Sequence, residues 1–138
     1  MKTIDMTELL SDAYDLADEI NKSHEVQCYL NSQAELQEDA EAQKLIREFQ
    51  KQKELYEETK RFGIFHPNYH EAKQKIEEVQ TQLRNNLVIR QFLEAEERLD
   101  QLLYQISSTI AKSVSHQIHI PIPESSTPRE QRRGMCQS

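Results

Sequence analysis

Before residue 121 the chain contains a single glycine, Gly63, and a single proline, Pro67, four residues apart in the stretch RFGIFHPNYHE. Glycine and proline are the main punctuation of sheets and tight turns. A chain with so little of either cannot be cut into many short strands, so an all-β or doubly wound fold is not expected. Glu, Gln, Lys, Leu and Ala are plentiful instead, all of them good helix formers. The expected fold is all-α: a helical bundle built on a long antiparallel helical hairpin, with a disordered C-terminal tail.

Apolar periodicity places the helices. Residues 4 to about 21 carry Leu9, Ala13, Leu16 and Ile20 at spacings of 4, 3 and 4, and Thr3 or Thr7 is placed to cap them. Ser23 is a cap for a second helix to about Leu36, with Val26, Tyr29 and Leu30 inward. Asp39 caps a third over 40–62, with Ala42, Leu45, Ile46, Phe49 and Tyr56 inward, Leu55 and Phe62 at its margin, and a gap in the stripe at Lys53. Gly63 then fits the position just past a helix end, and Pro67 the first turn of the next helix. Tyr69, Ala72, Ile76, Val79 and Leu83 form a coiled-coil-like seam on the fourth helix. Asn85 and Asn86 mark a break. The fifth helix runs from about Leu87 to about His116 on Val88, Phe92, Ala95, Leu99, Leu102 and Ile106, with Leu103, Ile110 and Val114 widening its stripe. Residues 1–119 read as one helical domain. Residues 120–138, with Pro121, Pro123 and Pro128, read as a flexible tail carrying Cys136.

The formal net charge is −7, and acidic and basic residues alternate along the helices. Clustered Lys and Arg are absent before residue 129, so direct nucleic-acid binding is not expected. No apolar run approaches the ~20 residues of a membrane span, and the first residues lack a signal-peptide core. Two distant cysteines make no disulfide framework, which fits a cytoplasmic, reducing location.

Residues with chemical potential are weighed as follows. His66 and His70 are four apart, but His66 precedes Pro67 and is pushed out of helical geometry, so a capping or surface role outweighs a shared metal. His116 and His119 sit at a fraying helix end, where they suit the helix dipole better than a metal. The clustered carboxylates read as solvated helix faces. No P-loop, dinucleotide fingerprint, nucleophile elbow or repeated glutamate-x-x-histidine is present, and enzymatic activity is not expected. Cys28 reads as a small buried hydrophobe. Two readings of Tyr56, Phe62, Phe65 and Tyr69 stand side by side: they pack the hairpin tip, or they anchor a partner protein. The seam residues Val88 and Phe92 join them as expected partner-binding positions.

The segment QEDAEAQKLIREFQKQKELYEETKRFGIFHPNYHEAKQKIEEVQTQL, and the ordered pair KELYEETKRFGIFHPNYHE and ERLDQLLYQISSTIAKSVSHQIHIP, resemble the YlbF/YmcA family of small helical proteins of Bacillus-type bacteria. The resemblance implies a non-enzymatic regulator of competence, sporulation and biofilm formation. It implies assembly with YmcA-like and YaaT-like proteins, and action on messenger RNA maturation through RNase Y. It also implies an iron–sulfur cluster shared between subunits, with ligands in a cysteine-rich C-terminal tail. Only Cys136 stands in that tail here, so it is the one ligand carried over, and no cofactor is expected in the isolated chain. Alone, the chain is expected to form a homo-oligomer. Two other functions stay open: a helical scaffold or chaperone-like oligomer, and a metal or redox sensor using Cys136 and the histidines.

Overall fold

The computed structural model describes residues 5–123, and the chain is all-α. Among the described residues five helices follow one another: α1 Met6–Lys22, α2 His24–Glu38, α3 Ala40–Arg61, α4 Tyr69–Asn85 and α5 Leu87–Val114. The backbone falls into two units. One contains α1, the start of α2 and α5 from Ala95 onward. The other is residues 31–94, with the end of α2, all of α3 and α4, and the start of α5. The tail expected over 120–138 has no regular structure at 120–123. Its remainder, with Cys136, lies outside the described residues.

Short polar side chains separate the helices. Asp39 accepts the Ala42 N–H at 2.7 Å, as its position ahead of α3 implied. Ser23 accepts the Val26 N–H at 3.3 Å and donates back to the Ile20 carbonyl, so one hydroxyl closes α1 and opens α2. Asn86 does the same between α4 and α5. Its N–H reaches the Gln82 carbonyl, and its Oδ1 accepts the Ile89 N–H at 3.0 Å. At the start of α1, Asp5 is the cap, accepting the Thr7 N–H at 2.9 Å. This corrects the expectation of Thr7, and Thr3 lies outside the described residues. Asp5 stands one residue before the helix, where an acceptor meets the free N–H groups, whereas Thr7 is already inside it.

In the 31–94 unit, α3 packs on α4. Ala42, Ala72, Ile76 and Val79 are buried, and Leu45, Ile46, Phe49 and Leu83 are half-buried. The gap expected at Lys53 has a specific form. The stripe passes one residue earlier, through Gln52, and then through Thr59, both buried. Positions 42, 45, 49, 52, 56 and 59 keep the 3-and-4 spacing that Lys53 seemed to break. Gln52 Nε2 donates to Glu48 at 2.6 Å, while its Oε1 is buried without a partner. Leu55 and Phe62 face solvent at 44% and 69% exposure, so the margin of the stripe is not core. On α5, Ile89 is buried beside half-buried Val88 and Phe92.

The unit containing α1 differs. Helix α1 buries no residue: Leu9 is 50% exposed, Ala13 is exposed, and Leu16 and Ile20 are half-buried. The stripe is where the sequence put it, yet among the described residues nothing buries it fully. Leu30, expected inward on α2, is also exposed, beside half-buried Val26 and Tyr29. On α5, Ala95 and Ala111 are buried and Leu99, Leu102 and Ile106 half-buried. Leu103, Ile110 and Val114 stay exposed.

Two substitutions test this account by urea unfolding followed by circular dichroism. Asp39→Ala removes the α3 cap and should cost about 1 kcal/mol. Gln52→Leu removes an unpaired buried carbonyl from the α3–α4 seam, and it should raise stability by about 1 kcal/mol despite losing the bond to Glu48.

Candidate partner-binding surface

The bend between α3 and α4 is built from three backbone devices. Helix α3 closes with the Phe62 N–H on the Thr59 carbonyl and the Gly63 N–H on the Lys60 carbonyl at 3.1 Å. Gly63 then takes φ +87, where a Cβ would be strained. A turn follows from Gly63 to His66, and a second from His66 to Tyr69. Pro67 occupies the second position of that turn, and Asn68, at φ −94 and ψ 0, has the type I geometry of the third. Pro67 therefore lies in the turn ahead of α4, not in its first helical turn. The ring's fixed φ serves either place, and what decides is the His66–Tyr69 hydrogen bond that forms across it.

The two histidines of this stretch go to different neighbours. His66 Nδ1 accepts the Asn68 N–H at 3.2 Å, and its ring lies 5.5 Å from that of Phe62. His70 is exposed and meets Tyr69 edge-on at 5.4 Å. His116 and His119, past the end of α5, are both exposed. Among the described residues, no three His, Cys, Asp or Glu side chains converge on a common metal position. Cys28 is half-buried, not buried, and its Sγ lies 3.3 Å from His24 Nε2 one turn earlier on α2. Its neighbour Val26 suggested an apolar surround, but the i−4 position decides what a helical side chain touches.

The aromatics at the bend divide into two groups. Tyr56 and Tyr69 are half-buried and face each other across the hairpin, rings 5.7 Å apart and hydroxyls 3.4 Å apart. The Lys60 ammonium sits 5.4 Å over the Tyr56 ring. Phe62, Ile64 and Phe65 point outward, at 69%, 59% and 93% exposure. Three large apolar side chains within four residues are thus exposed at the bend, which makes it a candidate contact surface. Lys60 and Arg61 precede it and give it a basic edge. Val88 and Phe92 are half-buried on α5, and Phe92 already has a partner within the chain. A cavity of about 530 Å³ opens beside the bend, lined in part by Gln52, Leu55, Thr59, Phe62, His66 and Ala72. Its rim carries both signs of charge, including the Glu71–Lys75 pair at 2.8 Å. That pair lowers the carboxyl and raises the ammonium, and at an exposed i,i+4 site it adds little stability. Gln52 and Thr59 carry no signal in apolar periodicity. Only the unbroken 3-and-4 register through them would have found them.

The tyrosine pair has a pH signature. The hydrogen bond in which the Tyr56 hydroxyl donates to Tyr69, followed by partial burial, pushes the Tyr56 phenol up from 10.0 to about 12. A folded-state value above the unfolded one stabilises the protein fully below pH 10.0, and the contribution is lost as pH rises toward 12. The hydroxyl contact is long, so that contribution is below the ~1 kcal/mol of a well-aligned bond. An ultraviolet difference titration should find one tyrosine ionising well after the rest, and Tyr69→Phe should return it toward 10.0.

Residues 9–115 match the family described as control of competence regulator ComK, YlbF/YmcA. The chain is 38% identical over 119 residues to the regulatory protein YlbF of Bacillus subtilis (strain 168), covering 86% of this chain and 80% of that protein. It is also similar to a chain in the crystal structure of Bacillus subtilis RicA in complex with RicF. The TM-score is 0.76 and the identity 37%, over 83% of this chain and all of that one. The family match over residues 9–115 and the identity over most of both chains agree, and the chain belongs to the YlbF/YmcA family of regulatory proteins.

Proposed function

We propose that this chain is a non-enzymatic regulatory adaptor. It assembles with YmcA-like and YaaT-like proteins in the cytoplasm, and through RNase Y the assembly modulates messenger RNA maturation and, with it, competence, sporulation and biofilm formation. The observation that carries the reading is the likeness to a chain solved inside a two-protein complex, RicA with RicF, over the whole of that chain. The exposed Phe62–Phe65 patch supports it physically. An apolar anchor on a rigid two-helix support loses little conformational entropy when it docks. Tyr56 and Tyr69 hold the bend from inside, and Val88 and Phe92 extend the same reading to α5.

The shared iron–sulfur cluster belongs to this proposal in one form. A cluster typically needs four thiolates, and this chain has two cysteines, one of them beside His24 on α2. Cys136 would supply one ligand and the other subunits the rest. The scaffold or chaperone-like reading draws on the same exposed apolar surface and differs in selectivity.

The test is an affinity pull-down of the tagged chain from its own cytosol, prepared without oxygen and read by mass spectrometry. Selective recovery of YmcA-like and YaaT-like proteins, with RNase Y, is the expected result. A broad unselective set would favour the scaffold reading, and recovery of the chain alone would overturn the adaptor reading. Phe62→Ala with Phe65→Ala should weaken partner capture by about tenfold or more at unchanged helicity. Equal capture would remove the bend from the interface.

A further inference from the structure

The cavity of about 530 Å³ beside the bend has the size of a small-molecule site, for which about 300–1,000 Å³ is usual. Along α3 its wall runs through Gln52, Leu55, Thr59 and Phe62, at spacings of 3, 4 and 3, so the four share one line on the helix. Helix α4 contributes Ala72. Gln52, Thr59 and Ala72 are each only 8% exposed and form the buried part of the lining. The hydrogen-bonding capacity left there is of one kind. Gln52 Nε2 is engaged by Glu48 at 2.6 Å, while Oε1 is buried without a partner. The Thr59 hydroxyl donates to the Tyr56 carbonyl at 2.8 Å, which leaves only its lone pairs. Buried polar atoms in folded proteins ordinarily have partners, so the lone Oε1 points to a donor that this chain does not itself supply.

We propose that this cavity binds a linear aliphatic polyamine. One terminal ammonium meets Gln52, the methylene chain runs along Leu55 and Ala72, and the other terminal ammonium meets Thr59 and Glu58 beside the Phe62 ring. Three observations select this ligand. The first is the acceptor-only lining. An ammonium has donors and no acceptor, whereas a phosphate or carboxylate would set acceptor against acceptor, and an amide or sugar would bring acceptors that Gln52 and Thr59 cannot serve. The second is the order of the line: an acceptor at Gln52, an apolar step at Leu55, an acceptor at Thr59 and an aromatic ring at Phe62. Gln52 and Thr59 lie ~10 Å apart at the helical rise, too far for one ammonium and suited to two joined by methylenes. The Phe62 ring, 5.5 Å from that of His66, offers a cation its face. The third is charge. Glu71 and Lys75 neutralise each other at 2.8 Å, the Glu48 carboxylate accepts from a neutral amide, and Glu58 has no ion-pair partner among the described residues. Lys51 opposes the ligand from the Gln52 end, and the chain as a whole carries a net charge of −7.

This inference does not rest on the adaptor reading, and its test needs no partner protein. Isothermal titration calorimetry of the full chain with spermidine, at physiological ionic strength, should show one site. Putrescine, whose two ammoniums are closer together, and butylamine, which has one, should each bind about tenfold more weakly or less. Gln52→Leu, which keeps the fold, should weaken spermidine about tenfold or more by removing a hydrogen bond to a charged group. Leu55→Lys places a cation in the middle of the line, at a position 44% exposed, and should weaken it at least as much with helicity unchanged. Lys51→Ala should tighten binding, and Phe65→Ala, outside the cavity, should leave it unchanged. In amide NMR spectra spermidine should shift Gln52, Leu55, Thr59 and Ala72. No heat and no shifts would overturn the proposal. So would spermidine binding that Gln52→Leu leaves unchanged, which would be general attraction to an acidic chain. Butylamine binding as tightly as spermidine would also overturn it, since the site would then take a single ammonium, such as a lysine side chain of another protein.

Discussion

Everything in the 31–94 unit depends on how closely α3 can approach α4. The buried positions along that contact are small or medium: Ala42 at 0% exposure, then Ala72, Thr59, Val79 and Ile76. Among the described residues, no large side chain is fully buried. Such a seam gains little from each apolar side chain, since burial stabilises in proportion to area. It must gain instead from continuity, with many modest contacts kept in register by the caps at each end. Asp39, Asn86 and the Gly63 bend fix where each helix begins and ends, and therefore which residues meet. A helix displaced by one position would carry Ala42 off the contact and bring a charged neighbour onto it.

A seam of this kind also explains the exposed apolar surface elsewhere. In a chain with 36% hydrophobic residues and 30% charged ones, apolar side chains spent on α1, on the far end of α5 and on the bend are not available to a core. Their spacing on α1 and α5 is too regular for scattered surface residues, and their opposite faces are polar. Stripes like these stabilise a fold only when a second surface completes them. The likeness to a chain solved in a complex of two proteins agrees with that physical demand.

The sequence was most legible where a local rule acts alone. Gly63 past the end of α3, Asp39 ahead of it and the α4 seam all follow from backbone sterics, capping chemistry and helical period, and each appears at its expected residue. Legibility failed where the outcome depends on what a helix meets. The α1 stripe is periodic, but periodicity says only that a face is apolar, not that this chain covers it. Gln52 shows the converse: a polar residue sits in the seam because the register passes through it, and a search for apolar residues steps over it. The bend's aromatics were legible as a cluster. That Tyr56 and Tyr69 turn inward while Phe62 and Phe65 turn outward is set by the Gly63 and His66–Tyr69 turns, which no side-chain pattern encodes.

That division of the aromatics has a mechanical consequence. A flexible loop bearing Phe62, Ile64 and Phe65 would lose rotational and backbone freedom on docking, and it would fold its apolar residues onto the helices when unbound. Here the two turns, the Tyr56–Tyr69 contact and the Lys60 ammonium over the Tyr56 ring brace the bend from the inside. The outward residues are then held apart from the core they would otherwise seek. Phe65 at 93% exposure is the clearest sign of this, because a phenylalanine left free to relax would cover itself. The inward tyrosines and the outward phenylalanines are thus two sides of one arrangement: the first fix the shape of the tip, and the second are left exposed on it.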